Sequence, residues 1–150
     1  MLNDSRLDLY AYLHALLDDY VEVNVYDMNV PQELTKTDAA NGFVVVRVGN
    51  IYDRSEFPRE TYAWVRCYIE AYVPPISRGR VNKEIYKNFE DSINKCIRNA
   101  NQYVVNDLYM VREESTLSME MMEVSNANNA YYVFAKSFIV DMFQDPHLDN

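Results

Sequence analysis

At 150 residues, 49% hydrophobic and 25% charged, the chain has the size and composition of one globular domain whose core needs no disulfide or metal staple. Its net charge of −9 argues against general nucleic-acid binding, which needs lysine and arginine to displace counterions from phosphates, though not against a protein that DNA passes without sticking. Acids stand where a signal peptide needs positive charge in MLNDSRLDLYAYLHALLDD, and no apolar run approaches the roughly 18 residues of a membrane span, so the sequence predicts a soluble protein made in a cytoplasm.

Asn3, Asp4 and Ser5 are candidate N-caps of a first helix, with Ser5 and Asp8 at capping-box spacing. Leu9, Leu13, Leu16, Leu17 and Tyr20 recur at helical spacing, which predicts a helix to about Asp19. Asp18 and Asp19 then stand at its C-terminal end, where the helix dipole prefers cations. Alternation in VEVNVY predicts a strand over Val21 to Tyr26, followed by a long polar loop, PQELTKTDAANG. FVVVRV, Phe43 to Val48, is a second strand, and Asn50 to Arg59 reads as a turn.

Thr61 to Val73 gives the clearest strand. Ala63, Val65, Cys67, Ile69, Ala71 and Val73 form one apolar face suited to packing under a helix. Tyr62, Trp64, Arg66, Tyr68, Glu70 and Tyr72 form the other, which is either covered by the chain's own loops or a subunit contact. Pro74 and Pro75 end the strand, since proline cannot donate to the ladder. Asn82 can cap a helix from Lys83 to about Ala100, with Ile85, Phe89, Ile93 and Ile97 as its apolar stripe. Leu108 to Val124 is a further strand, SNANN a turn cluster, and Ala130 to Phe143 a long strand with apolar residues on both sides. The expected fold is α+β in the order α-β-β-β-α-β-β, a mostly antiparallel sheet of four to five strands with two helices on one face. Residues 1–150 form a single domain, of which 144–150 are a polar tail.

Little in the sequence points to catalysis. His14 and His147 have no cysteine or second histidine at ligand spacing, and no HExxH or GxSxG pattern occurs. No metal, cofactor or catalytic residue is expected. Cys67 and Cys96 lie outside any CxxC pattern and are expected as two buried thiols. Asp18–Asp19 and Glu113–Glu114 read as solvated charge, and Met119, Met121 and Met122 as core filling. The run ISRGR fails as a phosphate loop, having one glycine and two upstream prolines that lack N–H donors.

Charge is nonetheless unevenly placed. Residues 78–98 hold six basic and three acidic side chains, a local +3, whereas residues 1–33 hold one basic and seven acidic, a local −6. The two regions could pair within the chain or between copies meeting head to tail.

The layout resembles that of the small phage tail-terminator, or tail-completion, proteins that join head to tail. The resemblance rests on a leucine- and tyrosine-rich opening helix, SRLDLYAYLHALL, and a short strand leading to proline, VNVYDMNVPQ. A valine-rich strand follows, NGFVVVRVGNIYD, with Gly42–Phe43 where the family often has proline. Then come a long strand and helix, YAWVRCYIEAYVPP and NKEIYKNFEDSINKCI, and a closing strand, YYVFAKSFIVDMF. It spans about residues 4–143 as a likeness of order and hydrophobic texture.

The resemblance implies a structural protein without enzymatic activity. It would form a ring, commonly of six copies, that caps the tail tube, stops its growth and docks the head connector, with DNA passing through the hole. Its partners would be itself, the tail-tube protein and the connector, with no sequence-specific nucleic acid and no membrane. Its place would be the virion, assembled in the host cytoplasm. From pattern and charge, the candidate subunit contacts are Tyr62, Trp64, Tyr68 and Tyr72, with Arg78–Arg80 set against Asp18–Asp19. The alternative is a small-molecule-binding or enzymatic α+β domain with an aromatic pocket near Trp64 and Tyr68.

Overall fold

A computed structural model describes residues 5–53, 61–77, 80–100, 104–105, 109–116, 120–123 and 130–143. In chain order these form α1 (Ser5–Asp18), β1 (Val25–Asp27), α2 (Lys36–Asn41), β2 (Phe43–Asp53), β3 (Thr61–Val73) and β4 (Pro75–Ser77). There follow β5 (Arg80–Val81), α3 (Lys83–Ala100), β6 (Val104–Val105), β7 (Tyr109–Thr116), β8 (Glu120–Glu123) and β9 (Ala130–Phe143). The fold is α+β. The main sheet runs β1-β2-β3-β9-β7-β6, with β8 also on β9, and β4 and β5 make a separate two-stranded sheet.

β3 and β9 are the spine. They pair antiparallel along almost their whole lengths, from Thr61 opposite Phe143 to Val73 opposite Tyr132. Of the strand expected over residues 108–124, residues 109–116 and 120–123 are described, as β7 and β8. β7 and β8 pair with successive stretches of β9, Val140 opposite Val111 and Tyr131 opposite Met122, with the register slipping between them. The SNANN turn cluster lies outside the described residues.

One face of the sheet carries the main core. Val44, Val46, Val65, Cys67, Ile69, Ala71, Phe134, Phe138 and Val140 pack beneath α1 and α3. α1 contributes Leu9, Leu13 and Leu17, and α3 contributes Phe89, Ile93, Cys96 and Ile97. The side chain of Asn82 caps α3 as expected, its Oδ1 accepting from the Ile85 N–H at 3.2 Å. Asn3 and Asp4, proposed caps of α1, lie outside the described residues. Both cysteines are free and buried.

Four elements differ from the sequence reading. The strand expected over residues 21–26 shrinks to Val25–Asp27 and pairs parallel with Val44–Val46. A parallel neighbour needs a long crossover, and residues 28–42 supply it. That crossover, read as a loop, contains α2, opened by a capping box. Thr35 accepts from the Asp38 N–H at 3.0 Å, while the Asp38 carboxylate accepts from the Thr35 N–H at 3.1 Å. β2 continues to Asp53 through a register shift after Val48, so Asn50 to Asp53, read as part of a turn, are strand, and the rest of that expected turn lies outside the described residues. Finally, Pro74 follows the end of β3 but Pro75 opens a further strand, β4, because in a two-stranded hairpin a proline can sit on the outer edge.

β1 covers only a short part of β2. Beyond it, the phenol of Tyr10 on α1 accepts from the Val48 N–H at 3.0 Å, in a buried contact. The helix therefore closes part of an edge that would otherwise present unpaired backbone.

Gly42 joins α2 to β2 at φ +84° and ψ −177°, a region essentially reserved for glycine. A Cβ there would also stand 2.3 Å from the Tyr72 carbonyl oxygen. Gly42→Ala is expected to lower unfolding free energy by about 3 kcal/mol, from backbone strain and forced movement of β3. Tyr10→Phe should cost about 1–2 kcal/mol by removing the Val48 acceptor without changing ring packing. Urea denaturation with unchanged m-value checks both.

Candidate functional site

Two helices cover one face of the sheet and leave the other to different cover at its two ends. At one end the chain covers itself. Phe43 and Val45 of β2, Tyr72 of β3, and Tyr131 and Val133 of β9 form a second, smaller core, against which Tyr26, Val30 and Leu34 pack. Phe43 stacks on Tyr72 with ring centroids 4.7 Å apart, and Tyr131 and Tyr26 each lie 5.9 Å from Phe43. Tyr72, a candidate for subunit contact, is only 1% exposed and belongs to this core. It is the chain's own crossover, over residues 28–41, that covers it.

Asp38 fastens the crossover. It is fully buried, and its carboxylate accepts from the Tyr26 hydroxyl at 2.6 Å, from Asn24 Nδ2 at 2.9 Å and from the Thr35 N–H. Burial pushes its pKa up, but the hydrogen bonds from Tyr26, Asn24 and Thr35 outweigh it and hold the carboxyl below its ordinary value. Tyr131 lies in the same core with its hydroxyl buried and unbonded; burial, then the charge of Asp38, raises its pKa.

A second clasp lies beside the first. Arg47 Nε donates to Glu70 Oε1 at 2.6 Å, and Arg47 Nη1 donates to the carbonyl of Met28. Met28 has a left-handed φ of +73°, rare for a residue with a side chain, so the guanidinium holds a strained turn from β2. The Tyr72 hydroxyl reaches the same Glu70 oxygen at 3.3 Å.

Towards the other end of this face the cover thins. Arg66 is exposed, and Trp64, Tyr68 and Ile139 are half-buried. The Arg66 guanidinium stands 6.0 Å from the Trp64 ring centroid, within cation–π range. The side chain of Tyr62 lies outside the described set. Trp64 and Tyr68 thus remain together on a partly open surface, from which Tyr72 is separated by its own cover.

Among the described residues, the basic and acidic candidates are not brought together. Arg78 is outside the described residues. Arg80, on β5, is exposed and makes no ion pair among the described residues. Asp18 stands 3.6 Å from His14 Nε2, and His14 Nδ1 stands 3.4 Å from Asp27. Asp19 lies by the C-terminal half of α3, where its charge adds to burial in pushing the Cys96 thiol up to about 12. From Lys83 to Lys95 the helix rises about 18 Å, so Arg80 and Asp19 face opposite ends of α3.

Sequence reasoning missed a groove between the α1–β1 connector and α3. It has a volume of about 530 Å³ and adjoins a second hollow of about 390 Å³ with which it shares Tyr20, Asp91 and Ser92. Val21, Val23, Ile85 and Phe89 supply its apolar lining. Asp19, Glu22 and Asp91, all exposed, supply acidic groups, with Lys95 as a basic one. Asn99 Nδ2 donates to the Tyr20 hydroxyl at 2.8 Å and closes the helix pair at one end. Neither Trp64 nor Tyr68 lines the groove.

Among the described residues no cluster of three or more His, Cys, Asp or Glu could hold a metal, and no helix is long and apolar enough to cross a membrane. No protein-family model and no curated protein matches this chain.

Asp38→Asn is expected to destabilise the fold by about 2–3 kcal/mol at neutral pH, because the amide N–H₂ replaces one acceptor oxygen and faces the donor of Asn24 or those of Tyr26 and Thr35. Since the folded-state pKa of Asp38 lies below its unfolded value, its contribution is complete above about pH 4 and fades as pH falls through the folded value. The gap between wild type and Asp38→Asn in urea titrations should therefore narrow below about pH 4.

Proposed function

We propose that this protein is a structural, ring-forming component that caps a phage tail tube and joins it to the head connector, as its resemblance to the tail-terminator family implies. The observation that carries the reading is the divided second face of the sheet. One end is sealed by the crossover, and the other leaves Trp64, Arg66, Tyr68 and Ile139 in partial contact with solvent. Aromatic residues and arginine are the types enriched where protein surfaces meet. The element order also supports the reading, with both long helices against one face and the long central strand leading into α3.

A ring of identical copies joins two different patches of each subunit. The uneven charge of the chain suits that arrangement, since Arg80 is left without an ion pair among the described residues. The net charge of −9 suits a passage that does not retain DNA.

The test adds purified protein to growing tail tubes and follows their length and ends by negative-stain microscopy. Capped ends bearing a ring, and arrested growth, are expected. Unchanged elongation with bare ends would reject the function. Because Trp64 is the only tryptophan and is half-buried, its emission should shift to the blue as rings form. Trp64→Ala should weaken assembly by roughly tenfold or more, the scale of an interface anchor.

A further inference from the structure

The β4–β5 hairpin is an unusual surface element. Ile76, at 70%, is the most exposed large hydrophobic side chain among the described residues. The base of the hairpin is fixed, with Pro74 buried and Val81 packed against the main core, and Pro75 opposes Val81 in register. A two-stranded hairpin is marginal alone, so this one is held by its base while Ile76 and Arg80 project. It offers an exposed apolar side chain on one strand and, on the other, an exposed arginine that has no ion pair among the described residues.

The groove between the α1–β1 connector and α3 has the opposite character. Its apolar lining includes Val23 and Ile85, both only partly buried. Asp19, Glu22 and Asp91 are exposed around the groove and its adjoining hollow, against the single basic Lys95. None of the three carboxylates is ion-paired among the described residues.

We propose that the β4–β5 hairpin of one copy of this chain seats in the groove of a neighbouring copy, Ile76 on the apolar lining and Arg80 against the acidic side chains. The occupant follows from complementarity, because the chain itself carries the apolar-plus-basic element that an apolar-plus-acidic groove selects. The two patches differ, so each contact leaves one hairpin and one groove free to engage further copies, the geometry from which rings close. The proposal rests on the ring-forming reading and assigns it a specific contact.

The test uses the full chain. Sedimentation velocity over a concentration series should show self-association of wild type that weakens with added salt. Arg80→Glu and Asp91→Arg should each weaken association about tenfold or more, both lying on the exposed surface so that thermal midpoints hold. Mixing the two variants should restore association, since the Arg80 hairpin of one meets the intact groove of the other and the two reversed charges attract each other at the alternate contact. Separately, Ile76→Cys and Asn88→Cys proteins, mixed under mild oxidation, should form a disulfide-linked heterodimer, because Cys67 and Cys96 are buried. If wild type assembles and both charge variants assemble equally well, the hairpin contact is wrong and the ring reading stands. If wild type stays monomeric and the cysteine pair does not cross-link, the contact is overturned, and tube capping still judges the ring reading by itself.

Discussion

The structure depends on one geometric constraint, that a long strand paired on both sides has two faces and two helices can cover only one. β3 is hydrogen-bonded to β2 and to β9, and its small apolar side chains from Ala63 to Val73 lie flat under α1 and α3. That arrangement leaves a second surface whose side chains are large and aromatic. The chain treats it unevenly. A crossover of 15 residues, 28–42, passes over one end and forces β1 to pair parallel with β2. The Trp64 end receives less cover, and there an intermolecular contact has something to add.

Two buried or half-buried polar groups decide where the boundary falls. Asp38 satisfies the Thr35 N–H within the crossover and two donors outside it, Asn24 and Tyr26, so the crossover cannot lift without stranding those two. Arg47 reaches from the sheet to the backbone of Met28 and is neutralised by Glu70. A loop held by apolar contacts alone, through Val30 and Leu34, would be free to slide over the aromatic cluster. The charged clasps specify one position. They separate the part of the aromatic face that belongs to the core from the part available as surface.

The long elements were legible in the sequence because each carries an unbroken period. The alternation of Ala63, Val65, Cys67, Ile69 and Ala71 and the spacing of Phe89, Ile93 and Ile97 leave one consistent assignment. The fold class followed from their order. α2 escaped because six residues, KTDAAN, are too few to show a period, although Thr35-x-x-Asp38 has capping-box spacing. Val21 and Val23 alternate like a strand but meet no partner strand, and Val25 marks where pairing starts. Alternation placed Tyr72 on the correct face without showing what lies above it, since that cover comes from residues about 40 positions earlier. The groove depends on how the α1–β1 connector lies against α3 and has no local signature. The basic island near Arg80 was visible, whereas the absence of an ion pair for Arg80 among the described residues is a property of the fold.

The pairing of β3 with β9 also sets a timetable. Partners in that ladder are 59 residues apart from Val73 to Tyr132 and 82 apart from Thr61 to Phe143. While the chain is being made at roughly 5–20 residues per second, the β2–β3 pair waits several seconds with one flank of β3 unsatisfied. During that interval neither the main core nor the aromatic cluster is complete, because Phe134 and Phe138 belong to one and Tyr131 and Val133 to the other. Arrival of a single strand finishes both layers together. Surfaces that depend on those layers therefore mature in one late step, and a half-made chain cannot present a finished contact to its neighbours.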